Sequence, residues 1–217
     1  MNPRFPQQQR GVTLLVALVM LLVLTVLTVT NMREVTLETR MTANRMESLS
    51  LNNAAESALR EGEARFFNAL RLSTKPEPNK NYCKKSVKYN RVTMYPCIVE
   101  IEKQTDGTYA GKMRNYVLDP IATVNTHMSW TGAKTDTADN DTYIAWMPYR
   151  GTSSEKSAEA TFPAYWNTAE MPVEGLNANY GDELIGRGVY YYLVSGQAKD
   201  ELALQTTIAK YYPGPSN

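Results

Sequence analysis

Few side chains in this sequence are of the types that catalyse reactions. The single histidine, His127, leaves one candidate base for a Ser-His-Asp triad and excludes a multi-histidine metal site. We interpret it as a loop residue. The glycine-rich string GDELIGRG, residues 181–188, precedes a predicted strand and lacks a following Lys-Ser/Thr pair, so it is not a phosphate-binding loop. We therefore predict no enzyme activity and no cofactor.

One polar string contains oxygen ligands of the kind that Ca²⁺ prefers. These are Asp136, Asp139, Asn140 and Asp141, within TDTADNDT. The string lacks the EF-hand spacing, with no glycine at the sixth position and no glutamate at the twelfth. We interpret it as a polar turn and predict no metal site, with calcium as the open alternative.

The charge balance excludes a second class of function. The chain has 217 residues, of which 23 are basic and 22 acidic, for a net charge of +1. This balance provides no basic surface for nucleic acid, so we expect no nucleic-acid partner. The length is sufficient for one ordinary domain once an N-terminal membrane segment is set aside.

The N-terminal region contains the longest apolar run. Residues 12–30 hold fifteen apolar residues and four threonines, and no charged residue lies between Gly11 and Met32. About 20 such residues cross a bilayer as a helix, so we predict a transmembrane helix over 12–32. Arg4 and Arg10 precede it without acidic neighbours, which places the N-terminus in the cytoplasm and the rest outside.

The two cysteines, Cys83 and Cys97, follow this segment. They lack CxxC spacing, and no cluster of histidine and cysteine surrounds them. Because the bacterial periplasm is oxidising, a Cys83–Cys97 disulfide fits this location. Two free thiols are the alternative.

The signal sequence is of an unusual kind. A secretory signal carries its small-residue cleavage site after the apolar region, where this chain has TNMREVTLETRM. Here the small residue precedes the run, in QQQRGVTLL. A cut between Gly11 and Val12 leaves the whole apolar helix on the mature chain. This arrangement resembles the class III signal of type IV prepilins.

Two longer strings resemble one pilin family. ETRMTANRMESLSLNNAAESALREGEARF, residues 38–66, and RGVYYYLVSGQ with LALQTTIAKYY, within 187–212, are similar to PilX-family minor pilins of the type IV pilus. The resemblance covers roughly the first 70 and the last 30 residues. It implies cleavage by prepilin peptidase after Gly11 and N-methylation of Val12, although most pilins begin the mature chain with phenylalanine.

A second departure from the pilin pattern concerns Val16. Most pilins carry glutamate at the fifth mature position, which pairs with the N-terminal amine of a neighbour in the fibre. A carboxylate in the bilayer costs a few kcal/mol when unpaired. A subunit without it is a poor addition to a growing fibre but can serve as a first subunit. Val16 therefore favours a place at or near the tip, and loss through drift is the alternative.

The resemblance also implies partners and a location. The partners are other minor pilins, the major pilin, prepilin peptidase, the inner-membrane assembly platform and a PilY-family tip adhesin. The expected function is to prime pilus assembly in support of adhesin display, attachment and twitching motility. The expected location is the inner membrane, with a periplasmic C-terminal domain. The alternatives are a type II secretion pseudopilin and an anchored periplasmic protein of unrelated function.

The predicted architecture is α+β, with a long N-terminal helix packed on an antiparallel sheet as in a pilin roll. Residues 1–11 form the leader, 33–72 the periplasmic continuation of the helix and 73–217 the globular head. A stripe of apolar and small residues continues the helix, and Pro76 and Pro78 end it at about residue 72. Within residues 50–70 we interpret the stripe as core packing, and the helix charges as solvated.

Two hairpins are predicted in the head. The first runs through CIVEIEK, the Asp106-Gly107 turn and YAGKMRNYVL, and the second joins 189–195 to 202–212. Residues 125–179 show little periodicity, so we predict a loop-rich insertion. Its aromatic residues either pin loops to the body or anchor a partner, and we favour the first: Trp130, Trp146, Tyr149, Phe162, Tyr165 and Trp166.

Overall fold

A computed structural model describes residues 10–68, 75–84, 86–87, 96–101, 110–127, 143–152, 158–171 and 187–214. The chain divides into two compact units, Met1–Ser48 and Leu49–Asn217. Several predicted features lie outside the described residues. They include the leader before Arg10, the polar string with Asp136, Asp139, Asn140 and Asp141, the Asp106-Gly107 turn, Trp130 and residues 181–186 of GDELIGRG.

The first unit consists of helix in its described part. The helix α1 spans Arg10–Asn68 and so continues into the second unit. Within residues 12–48 nearly every residue is exposed. The helix contains one segment that is long and apolar enough to cross a membrane. Its predicted end at about residue 72 lies outside the described residues.

The second unit is built on an antiparallel sheet. Its described strands lie in the order β1 (Met147–Pro148), β2 (Ala164–Glu170), β3 (Gly188–Ala198) and β4 (Leu202–Tyr212). The β3–β4 register pairs eleven residues, from Gly188 opposite Tyr212 to Ala198 opposite Leu202. The predicted second hairpin and the α+β layout are thereby confirmed.

The turn between β3 and β4 is held by local hydrogen bonds. Lys199 and Asp200 adopt positive φ angles of 57° and 56°. The side chain of Gln197 donates to the Asp200 carboxylate at 2.8 Å and accepts from the Asp200 backbone N–H at 2.9 Å. These bonds offset the strain of two consecutive residues in the left-handed region. The turn contains neither Asn-Gly nor Asp-Gly, so its sequence does not predict this conformation.

The predicted first hairpin is wrong in its second half. Residues of YAGKMRNYVL form the helix α2 (Ala110–Leu118), and α3 (Pro120–His127) follows after Asp119. Met113 and Tyr116, three residues apart, pack toward the sheet, which is a helical spacing. Of the first half, Val99 forms an isolated parallel bridge to Ala169.

The sheet lies between two helical layers. Because side chains alternate along a strand, Val194 and Gly196 of β3 face α1, whereas Ser195 faces α2. The segment of α1 from Ala54 to Phe66 buries its small and apolar residues, so the packing predicted for residues 50–70 is confirmed there.

Strand β2 lies inside the predicted loop-rich segment 125–179. The prediction missed it because AYWNTAE lacks the alternation of a half-exposed strand. Both faces of β2 are covered, so Trp166, Asn167, Thr168 and Ala169 are all buried in succession. Trp146 also lies in the core, with Tyr149, Phe162 and Tyr165 packed against it. These aromatic residues pin the chain to the body.

The two cysteines form a disulfide. Cys83 and Cys97 are joined with a Cα–Cα distance of 4.9 Å, and both are buried in the main core. The predicted disulfide is thereby confirmed. It connects the segment that follows α1 to the segment that leads to the Val99 bridge.

Candidate assembly interface

The exposed part of α1 is the largest apolar surface among the described residues. Twenty large apolar side chains between Val12 and Leu49 are each 48–71% exposed. Monomeric soluble proteins rarely expose apolar patches of this extent. The surface therefore requires cover, either from lipid or from apolar surfaces of other proteins.

The threonines in this helix do not interrupt its apolar character. The hydroxyl of Thr25 donates to the carbonyl of Leu22 at 2.8 Å, and the hydroxyl of Thr30 donates to the carbonyl of Leu27 at 2.9 Å. Thr28 bonds back to the preceding turn in the same way. With its hydroxyls satisfied inside the helix, each threonine tolerates an apolar environment.

The residues of the predicted processing site lie at the start of α1. Gly11 and Val12 belong to its first turn, and Val16 lies one turn further. The side chain of Val16 is 48% exposed and belongs to the apolar surface. No carboxylate occurs along α1 before Glu34. Cleavage and methylation at these positions stay predictions.

A buried carboxylate connects α1 to the loop after β1. Glu61, 1% exposed, pairs with Arg65 one turn later. Its other oxygen accepts the backbone N–H groups of Arg150 at 2.6 Å and of Gly151 at 2.8 Å. The Arg150 guanidinium donates in turn to the carbonyl of Val87 at 3.1 Å. Glu61 therefore joins three segments of the head.

The prediction of solvated helix charges fails at this point. Glu56 and Arg60 form an exposed pair, as expected, but the side chain of Arg65 is only 11% exposed. Glu61 was not singled out in the sequence. The signal available was the spacing of four residues between Glu61 and Arg65 on the apolar stripe.

Two lysines make contacts near the C-terminal ends of β2 and β4. Lys210 of β4 donates to the carbonyl of Phe66 at 2.9 Å, and burial lowers its pKa. Lys75 binds Glu170 of β2 at 3.1 Å. Burial alone would lower the pKa of Lys75, but the Glu170 carboxylate raises it above the ordinary value. The Lys210 bond connects β4 to the last described turn of α1.

The opposite face of the sheet carries a buried polar network. The Tyr116 hydroxyl of α2 donates to the Asn167 side-chain oxygen at 2.6 Å and lies 3.1 Å from the Ser195 hydroxyl. Gln205 of β4 donates to the Ser195 hydroxyl and to the Tyr116 carbonyl. Burial raises the pKa of Tyr116 far above its ordinary value, against a smaller opposing effect of Ser195. The network fixes α2 on the sheet.

The described residues contain no group of histidine, cysteine and acidic side chains arranged to hold a metal ion. His127 is the last residue of α3 rather than a loop residue. The buried polar networks around Glu61 and Tyr116 connect elements of the head to each other. The exposed α1 surface is therefore the feature that calls for a partner.

Most of helix α1 matches a known protein-family model. Residues 10–60 match the PilX N-terminal family model. The match covers about a quarter of the chain, and the layout of a long N-terminal helix with an antiparallel sheet is pilin-like. The match is consistent with a PilX-family minor pilin of the type IV pilus, as the sequence resemblance indicated. No curated protein and no solved structure is significantly similar to the chain.

The PilX N-terminal region coincides with the geometry of α1. It includes the whole exposed apolar surface from Val12 to Leu49, and it continues to the first buried turns that contact the sheet, around Ala55 and Ala58. A long apolar N-terminal helix of this kind fits a membrane-anchored pilin. The family also indicates a structural protein that associates with other pilus components.

Proposed function

We propose that the chain is a minor pilin that helps prime type IV pilus assembly. The observation that carries the proposal is the coincidence of the PilX N-terminal region with the exposed apolar surface of α1. In the membrane, lipid covers the part of this surface within residues 12–32. In the fibre, the equivalent helices of neighbouring subunits cover it, so one surface serves both states.

The arrangement of a short leader before an apolar helix also determines how the chain is processed. Prepilin peptidase cleaves after Gly11 on the cytoplasmic side, and Val12 becomes the methylated N-terminus. The head stays in the periplasm until assembly, anchored by a single pass through the inner membrane. The disulfide between Cys83 and Cys97 supports this placement, because disulfides persist in oxidising compartments.

A tip position is the proposed place in the fibre. Val16 offers no carboxylate to the amine of a preceding subunit, so the chain functions as an early subunit with no predecessor. Its neighbours are other minor pilins and then the major pilin, assembled on the inner-membrane platform. A PilY-family adhesin on top of this group accounts for a role in attachment and twitching motility.

The test is the position of the chain in sheared pili. We expect immunogold label against the head at fibre ends, with few particles along the shaft. The Val16→Glu variant supplies the missing carboxylate and is expected to spread label along the shaft. The matched Val19→Glu variant places a carboxylate one turn away and should leave the wild-type pattern or abolish incorporation. Absence of label from pili in all strains contradicts the proposal.

A further inference from the structure

Strand β4 is an edge of the sheet that the described strands form. Among the described residues it pairs with β3 alone, over its full length of eleven residues. In an edge strand of an antiparallel pair, the N–H and C=O groups of every second residue point away from the sheet. β4 therefore offers a row of backbone donors and acceptors to another strand.

The devices that usually protect such an edge are missing from β4. Proteins blunt edge strands with proline, outward lysines or bulges. β4 has no proline, and its pairing with β3 runs without a bulge. Its single lysine, Lys210, is engaged inward by its bond to the Phe66 carbonyl. Nothing within β4 itself prevents strand addition.

A groove lies beside the first half of β4, on the side of α2. Its volume is about 330 Å³. Val117, Leu118 and the residues that follow to Ile121 form one wall, and Glu201, Ala203 and Gln205 form the other. Leu118 is 71% exposed and Val117 is 44% exposed. A strand added to β4 would direct alternate side chains into this groove.

The charged groups of the groove are of one sign. Its lining includes the carboxylates of Asp119 and Glu201 and no basic residue. Asp119 accepts the backbone N–H of Ala122 at 2.9 Å, and Glu201 pairs with exposed Lys199 at 3.0 Å. A carboxylate has about four acceptor positions, so both retain capacity for a further cation.

We propose that β4 and this groove, together the β4 docking edge, bind an extended segment of a partner protein. The segment carries alternating apolar side chains, which contact Leu118 and Val117. It also carries a lysine or arginine, which pairs with Asp119 and Glu201. The biological setting of this proposal rests on the assembly role above. In that role, the β4 docking edge gives the head a contact that α1 does not provide. The binding chemistry itself does not depend on the pilus.

The test uses the full chain in detergent and a synthetic peptide of eight residues. The peptide alternates valine and threonine and carries lysine at both ends. We expect it to slow hydrogen exchange at outward amides of β4 by at least about fivefold, the factor of one ordinary backbone hydrogen bond. A version with glutamate for lysine should protect less. A version N-methylated at alternate residues should not protect at all.

Variants of the chain locate the contact. Leu118→Asn removes the apolar contact without adding a charge and should abolish the protection, whereas Arg114→Asn, at another exposed position one turn earlier on α2, should not. Both positions are exposed, so neither change threatens the fold.

Equal protection in the two variants, or no protection of β4 amides by the lysine peptide, overturns the proposal. Dimerisation through β4 without peptide binding also overturns it and assigns the edge to a second copy. None of these outcomes depends on processing or on fibre position, so the proposed function is tested separately.

Discussion

Gly196 of β3 lies directly against Ala55 of α1. A Cβ atom at position 196 would be 2.5 Å from the Ala55 carbonyl oxygen and equally close to the Leu59 backbone nitrogen. Backbone atoms of a helix cannot move aside as a side chain can. The contact therefore sets the distance between α1 and the sheet.

We expect Gly196→Ala to lower the free energy of unfolding by about 2 to 3 kcal/mol, as overpacking of a close contact does. Gly62→Ala is the matched control on the helix side. There the new Cβ meets a side chain, Val194 Cγ1, at 2.6 Å. A gain in helix propensity of about 1 kcal/mol offsets part of the cost.

The measurement is urea unfolding of the full chain in detergent, followed by the fluorescence of buried Trp146 and Trp166. A larger loss of stability for Gly62→Ala than for Gly196→Ala would show that the backbone contact does not determine the packing distance.

Glu61 supplies a second prediction. Glu61→Ala removes the buried carboxylate that pairs with Arg65 and accepts two backbone N–H groups. We expect a loss of about 3 to 5 kcal/mol, the cost of breaking a buried ion pair from one side. Glu61→Gln retains a side-chain oxygen and should lose less.

Glu56→Ala is the matched control, because Glu56 forms the same i,i+4 pair on the exposed face. Exposed helical pairs contribute about 0.3 to 0.5 kcal/mol. The same urea unfolding applies. Similar midpoints for Glu61→Ala and Glu56→Ala would contradict the role of Glu61 in joining α1 to the loop after β1.

The disulfide should stabilise the head substantially. It closes a loop with a sequence separation of 14, for which chain entropy gives about 3 kcal/mol. The double variant Cys83→Ser with Cys97→Ser is expected to lose this amount in urea unfolding. Reductant should lower the wild-type midpoint toward that of the variant and leave the variant unchanged. A wild-type midpoint that stays constant after complete reduction would contradict this expectation.

Buried tyrosines predict instability at alkaline pH. Burial raises the pKa of Tyr212 to about 12, and burial raises the pKa of Tyr192 and Tyr116 still further. Above pH 10 the unfolded chain loses these protons while the folded chain keeps them, so unfolding becomes more favourable. The stability present below pH 10 is therefore lost as pH rises through 12.

Tyr212→Phe tests the sign of this dependence. Burial raises the pKa of Tyr212 by more than hydrogen bonding with Tyr192 lowers it, so removal of the Tyr212 hydroxyl should cost about 1 kcal/mol or less at pH 7. We expect a shallower loss of stability between pH 10 and 12, measured by urea unfolding across that range. Tyr211→Phe, at an exposed neighbour, should leave the slope unchanged. A steeper slope for Tyr212→Phe would contradict the burial argument.

The sequence predicted the elements whose patterns are local. The uncharged run after Gly11 predicted the apolar helix, and the β-branched and aromatic residues of YYYLVSGQ and LALQTTIAKYY, joined by a short polar connection, predicted β3 and β4. The small residues around Ala55 and Gly62 predicted a close packing face. In each case the residues of one face or one segment meet the same kind of environment, so their residue types form a pattern that is visible in the sequence.

Two other elements of the head, β2 and α2, escaped prediction. Strand β2 reads as a loop because Asn167 and Thr168, buried and polar, break the apolar pattern, and only Tyr116 from a distant helix explains Asn167. The helix α2 was taken for a strand because Tyr116 and Val117 favour strands in isolation. Tertiary packing determined both elements, and the helical spacing of Met113 and Tyr116 is the one local signal for α2.

The most direct test of the central claim is the mass of the N-terminal peptide of the chain. The chain is purified from membranes of strains with and without prepilin peptidase. We predict a peptide that begins at methylated Val12 when the peptidase is present, and an uncut leader when it is absent. A start at Met1 or Asn2 in both strains, or a cut after the apolar run, would contradict the assignment as a pilin.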